Sequence, residues 1–311
     1  MSVVDPSRQK FDFGFELIMW DLGGHSVPDA LDLLEREGFG WFEALFGDTL
    51  GGDYSRRVMT LGPRELPKVV SDVEIFDRMA AFARAHTERE IRLASLFCDG
   101  DWLDPQLWPH EFAKAQVLTR FLQSCGSPIL VVGGGPPEDA PREPADYEAF
   151  AARLHDIGRF TGELGLRSVY HPHIDTFIET REQLDRLMDV LDTELVGLCV
   201  DPAHFQLKRD DPVDIFRTYS AAINYVHLKD VNGDESTLSG LDRYVDFCPL
   251  GAGIVDLPGI VNELLDVEYD GLVVVEQDIS QQPDEDCLRS TAYIRDELGL
   301  RLTASGDLVS G

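Results

Sequence analysis

Eight times along this chain, a short run of Val, Ile, Leu and aromatic residues gives way to a longer segment with apolar residues at helical spacing. The short runs are FGFELIMW (13–20), GFGWFEALF (38–46), IRLASLFCD (91–99), PILVVGGG (128–135), RSVYHPH (167–173), LVGLCVDPAH (195–204), INYVHLKDV (223–231) and GLVVVEQD (271–278). The segments between them read as helices: VPDALDLLEREG puts Leu31, Leu33 and Leu34 on one side, SDVEIFDRMAAFARAH covers 71–86, and HEFAKAQVLTRFLQSCG ends on a glycine suited to a C-cap. The later runs are almost unbroken Val, Ile and Leu, as expected of strands buried on both faces. Alternating βα units give parallel strands with right-handed crossovers. Eight of them in 311 residues predict an α/β protein of the closed (β/α)₈ (TIM) barrel type. An open doubly wound sheet fits less well, because WDLGGHS is not GxGxxG and VVGGGPP is not a phosphate loop. No linker or shift in composition divides the chain, so residues 1–311 are expected to form one domain with a tail that frays from about residue 303.

Composition narrows the partners. Apolar residues make up 43%, enough for a large core, while 57 acidic against 27 basic residues give a net charge of -30. Such a surface repels polyanions, which argues against nucleic acid and anionic membranes and favours a small neutral substrate. The five cysteines are odd in number and scattered, without a CxxC pair, as in a reducing compartment. With no apolar leader at the N-terminus and no run of 18 apolar residues, a cytoplasmic location is expected. An oligomer is compatible with all of this.

In a barrel, the C-terminal strand ends meet in one mouth. Here those ends carry Glu43, Asp99, His171 and His173, Asp201 and His204, His227, Lys229 and Asp230, then Glu276 and Asp278. Taken singly, several have ordinary uses: Asp201 before Pro202 starts turns and Asp230 can cap one. Glu276 after LVVV, Asp201 after GLCV and His227 after INYV each follow an apolar run into a crowded space. A buried carboxylate there needs a cation or several donors. One divalent metal ion would satisfy all three groups. Carboxylate and imidazole without thiolate suits Mn²⁺ first, then Mg²⁺, Co²⁺ or Zn²⁺.

CVDPAH (199–204), YVHLKDV (225–231), PLGAGIVDLPGIVNELLD and VVVEQD together resemble the xylose-isomerase-like barrel superfamily, which includes sugar isomerases and epimerases, inosose dehydratases and endonuclease IV. The resemblance covers roughly residues 165–280, and HPH with HLKDV and EQD looks most like the inosose dehydratase branch. It implies one metal held by Glu, Asp, His and Glu from the fifth to eighth strands. The chain departs from the usual fifth-strand pattern, roughly L-E-N-H-P-G-T-x-x-N-T: the family glutamate falls on His171, and a carboxylate returns at Glu179. Either His171 takes the ligand place, or Glu179 folds back to it and frees His171. Charge balance favours Glu179, giving the expected set Glu179, Asp201, His227 and Glu276. The rival use of Glu179 is a first-turn helix charge beside Thr180.

A metal-chelated ketose or keto-cyclitol loses a proton next to its carbonyl, to an isomerase or a lyase outcome. His171 or His173 is the expected base, and the resemblance adds Glu276 as a proton carrier. His204 and Lys229 are assigned to substrate oxygens and Glu43 to a distal hydroxyl. The resemblance implies a keto-cyclitol or keto-sugar lyase of carbohydrate metabolism, inositol catabolism in particular. A sugar isomerase or epimerase, or β-elimination of a 3-oxo-glycoside, would use the same enolisation. A non-catalytic sugar-binding barrel is the distant alternative, and a nuclease conflicts with the acidic surface. Glycine-rich 47–55 and the insert 231–253 are expected as lids, or the latter as an oligomer contact.

Overall fold

The computed structural model describes residues 4–45, 83, 87–135, 142–233, 244 and 246–304. Eight parallel strands form a closed barrel: β1 (Asp12–Glu16), β2 (Trp41–Leu45), β3 (Arg92–Cys98), β4 (Ile129–Val132), β5 (Arg167–Tyr170), β6 (Val196–Val200), β7 (Ile223–Leu228) and β10 (Leu272–Val275). β1 pairs with both β2 and β10, so the sheet has no free edge. Two short strands, β8 (Asp230–Val231) and β9 (Phe247–Cys248), make a separate antiparallel ribbon. Among the described residues the helices are α1 (Ile18–Leu22), α2 (Val27–Glu37), α3 (Trp108–Cys125), α4 (Pro144–Glu163), α5 (Arg181–Met188), α6 (Pro202–Leu207), α7 (Pro212–Tyr219), α8 (Leu257–Asp266) and α9 (Pro283–Ala292). None is long and apolar enough to cross a membrane.

Local chemistry sets the element ends. Ser26 accepts the Asp29 N–H to start α2, and Gly38 ends it at φ 89°, where a Cβ would be strained. Gly126 ends α3 in the same left-handed conformation, as the sequence predicts. The first β-run is shorter than expected: β1 stops at Glu16 and Ile18–Leu22 turn helical. That turn brings Trp20 edge-on to Phe15 at 5.4 Å and lets its Nε1 donate to Asp284 at 2.7 Å.

Strand side chains alternate between two faces. Ala94, Ile129, Val131, Val169, Cys199, Tyr225, Leu272 and Val274 fill the barrel interior as one cluster. Alternate residues such as Leu198, Val200, Val226, Val273 and Val275 belong to the larger core, and each such side chain contributes about 2 kcal/mol by leaving water. Bulges interrupt the ladder beside Phe42/Glu43 and Leu198/Cys199, next to strand ends that carry acids. The glycine-rich segment 47–55, nearly all of 71–86, residues 234–243 and the tail beyond 304 lie outside the described residues.

Candidate active site

The two-residue strand period carries the interior positions up to the mouth. Val169 leads to His171 and His173, Cys199 to Asp201, Tyr225 to His227 and Lys229, and Val274 to Glu276 and Asp278. On the other side, Glu16 and Glu43 are register partners. All but His173, which is half-buried, are shielded from solvent.

His227 organises the centre. Its Nε2 donates to Glu43 Oε2 at 3.0 Å, which turns Nδ1 toward Glu276 Oε2, 2.7 Å away. That second pair lacks hydrogen-bond geometry, and Asp201 Oδ2 and Asp278 Oδ2 nearby face the Lys229 ammonium, 3.2 and 2.9 Å away, without hydrogen-bond geometry. Donor atoms of His171, Asp201, His227 and Glu276 all lie within 4.8 Å of one another. Metal–ligand distances of about 2 Å bring two ligands of one ion to roughly 3 Å of each other, so a shared divalent cation fits the spacing of the His227 Nδ1–Glu276 Oε2 pair. The carboxylate behind His227 matches the outer partner that orients a ligating imidazole. Burial works against protonation of His227, but Cys199, Glu43 and Glu276 hold its pKa well above the ordinary value; a proton thus sits where a cation would compete. Burial, with His227 and His173 alongside, holds His171 well below its ordinary value, so its imidazole is neutral.

Cys199 also reaches His171 and His227 from the layer beneath. Burial pushes its thiol up to about 12, so it does not offer a ready thiolate, and the oxygen–nitrogen set is the better match.

Each of Asp201's oxygens has a separate place. Oδ1 accepts the Ala203 N–H at 2.8 Å and starts α6, while Oδ2 stands 3.2 Å from both Lys229 Nζ and His204 Nε2. The turn-starting bond thus leaves the second oxygen facing the mouth.

Two residues expected at the site have contacts that differ from the expectation. Glu179 does not join the cluster: its Oε2 contacts Lys208 Nζ at 2.6 Å and accepts the Asp175 N–H at 3.0 Å. Its own N–H donates to Gln183 Oε1, part of the capping box that begins α5 at Thr180, so the chain path fixes it beside that helix. Lys229, assigned to the substrate, instead reaches Glu276 Oε1 at 2.6 Å, Asp278 Oδ2 at 2.9 Å and Asp201 Oδ2 at 3.2 Å. A lysine has three N–H donors, and three carboxylates stand within their reach. Burial alone would raise Glu276, but Lys229 and His227 keep it well below the usual carboxylate range.

His173 and His204 stand together, ring centroids 3.8 Å apart. Nδ1 of His173 is 2.6 Å from Ile174 O, and both His204 nitrogens lack a hydrogen-bond partner. Burial and then Lys229 lower His173 to about 4, and burial with His173 holds His204 well below the ordinary imidazole value; both are neutral at pH 7. Asp230 stays out of the centre. Its carboxylate accepts the N–H groups of Val231, Gly251, Gly253 and Val255 at 2.9–3.1 Å.

Glu16 was not among the residues that the sequence marked. It is 1% exposed and its Oε2 has no partner. Burial first, then Glu276 and Glu43, raise its pKa well above normal. The signal was present, a lone acid after FGF, but the apolar LIMW that follows made the strand appear to continue past it.

A closed parallel barrel whose C-terminal mouth gathers imidazoles and carboxylates with donor atoms within 4.8 Å of one another defines a class of barrel enzymes with an acid–imidazole centre. The model of the xylose isomerase-like TIM barrel family matches residues 31–297, and the chain belongs to that family as one of its enzymes. It is 30% identical over 251 residues to inosose dehydratase of Geobacillus kaustophilus, covering 73% of this chain and 81% of that protein. Inosose dehydratase 2 of Bacillus cereus is 32% identical over 166 residues, where the match spans only 56% of the relative's length. Among solved structures, the IolI protein with a bound zinc atom superposes with a TM-score of 0.73 at 15% identity, over 93% of this chain and 98% of that one. AsbF of Bacillus anthracis, a probable 3-DHS dehydratase, gives 0.72 at 14% identity, over 92% and 99%. At such identities the two structures speak for the fold.

Proposed function

We propose that this protein is a divalent-metal-dependent lyase that dehydrates a neutral keto-cyclitol or keto-sugar. The observation that carries this is the set His171, Asp201, His227 and Glu276, with donor atoms within 4.8 Å of one another and several otherwise unpartnered. Those four residues would hold the ion, with Mn²⁺ the first candidate and Mg²⁺, Co²⁺ or Zn²⁺ the others. A bound divalent ion there supplies a Lewis acid that polarises a substrate carbonyl and acidifies the neighbouring C–H.

His173 is the base. Its Nδ1 is tied to Ile174 O, which leaves Nε2 with the lone pair, and its lowered pKa keeps it unprotonated until it takes the α-proton. The C–H electron pair becomes the new double bond as the β-hydroxyl leaves; His173 returns its proton to that hydroxyl, and water departs. His204, whose Nδ1 has no hydrogen-bond partner, holds a substrate oxygen, and Glu43 Oε1 accepts a distal hydroxyl. Glu276, kept ionised by Lys229 and His227, serves as a ligand rather than a proton carrier. The net charge of -30 supports a neutral substrate over a phosphorylated one.

The similarity to inosose dehydratases supports the lyase over an isomerase, an epimerase or β-elimination from a 3-oxo-glycoside, all of which begin with the same proton abstraction. Metal-loaded protein incubated in D₂O with 2-keto-inositol and with ketohexoses separates them. Loss of water from the keto-cyclitol with deuterium exchange is expected; exchange with an epimerised ketose would move the assignment to an isomerase. No exchange with any of these compounds would overturn both and leave a sugar-binding barrel.

A further inference from the structure

We infer that Glu16 is a further substrate-binding residue, whose carboxylate takes hydroxyl groups of a neutral polyol on the β1–β2 side of the mouth. The inference rests on the reading of this mouth as a sugar or cyclitol site.

Glu16 ends β1, between the strands that carry Glu276 and Glu43. Its register partner on β2 is Glu43, and the β1–β10 ladder has Phe15 opposite Val275, so Glu276 follows next to Glu16. Three carboxylates thus stand side by side on adjacent strands. Among the described residues, the cationic groups of the mouth are committed elsewhere: Lys229 to Glu276, Asp278 and Asp201, and His227 to Glu43 and Glu276. Glu16 Oε2 is left buried without a hydrogen-bond partner, and so is Glu43 Oε1. A buried carboxylate oxygen without a donor is costly.

The missing partner must bring donors. Among the described residues, Glu16 lies outside the groups whose donor atoms gather closely enough to hold an ion, which argues against a second metal. An anion would meet three carboxylates. Hydroxyl groups of a neutral ring fit: each donates one hydrogen bond, and a carboxylate accepts from two neighbouring hydroxyls at once. Glu16 and Glu43 together would fix which carbons of the ring face the metal set and the His173 base, making Glu16 a determinant of specificity.

The test uses metal-loaded wild type, Glu16→Gln and Glu16→Ala. Each is titrated calorimetrically with myo-inositol, scyllo-inositol and 2-keto-inositol, its metal content is measured, and its melting is followed without polyol. Polyol binding about tenfold or more weaker in Glu16→Ala is expected, with one ion per chain in all three. Glu16→Gln should melt at or above the wild-type temperature, because an unpartnered buried acid beside two others has been replaced by a neutral side chain of the same shape. Equal polyol affinity in wild type and Glu16→Ala would overturn the inference, as would a wild type that binds none of the polyols. Loss of the ion with lowered melting in Glu16→Gln would also overturn it, since that marks a structural role. The dehydratase reading fails separately: a protein that binds polyols through Glu16 but neither exchanges nor dehydrates them leaves Glu16 assigned and removes the lyase.

Discussion

Lys229 is the residue on which the charge arrangement turns. Its ammonium, fully buried, stands among Asp201, Glu276 and Asp278, and those carboxylates more than offset burial in holding it protonated. Replacing it with a neutral side chain leaves three acids facing one another in a dry mouth. Lys229→Met should therefore destabilise the fold by about 3–5 kcal/mol, read as a shift of the urea midpoint at pH 7; a loss under about 1 kcal/mol would show that the carboxylates find other donors. Residue types at the strand ends were legible from sequence, and their division of labour was not. Glu179 illustrates why: counting along the chain restores a carboxylate near the family position, but the loop from 173 to 180 runs to the start of α5 and takes Glu179 to Lys208. His171, directly above Val169 on the strand, needs no such detour.

At the level of elements, the turn after β7 is held by one side chain. Asp230 accepts four backbone N–H groups, and a Cβ on Gly253 would stand 2.2 Å from its Oδ1; this is the physical content of the PLGAG segment. Asp230→Ala orphans those donors together and should lower stability by about 3 kcal/mol, with the urea midpoint falling at an unchanged slope. A shift below about 0.5 kcal/mol would mean that the turn does not depend on this carboxylate. Helix starts and stops were readable because caps are local chemistry: Ser26, Gly38, Gly126 and Thr180 all act where they stand in sequence. The end of β1 was not, because what bends the chain at Leu17 is the seat of Trp20 against Phe15 and Asp284, over 260 residues away in the latter case.

For the whole molecule, the barrel follows from repetition. Eight alternations leave few topologies, and the closed sheet realises the one with no edge. Closure also turns scattered polar residues into a site, since it brings the ends of β5, β6, β7 and β10 to one mouth and sets Glu43 of β2 against His227 of β7. That cross-barrel contact has no trace in local sequence. The central claim is that this mouth holds one divalent ion through His171, Asp201, His227 and Glu276. Metal analysis of purified wild type, His171→Ala and Glu179→Gln, each loaded with Mn²⁺ and passed through a desalting column, tests it most directly. One ion per chain in wild type and in Glu179→Gln, with loss of the ion in His171→Ala, is the predicted result; an ion kept by His171→Ala and lost from Glu179→Gln would contradict it.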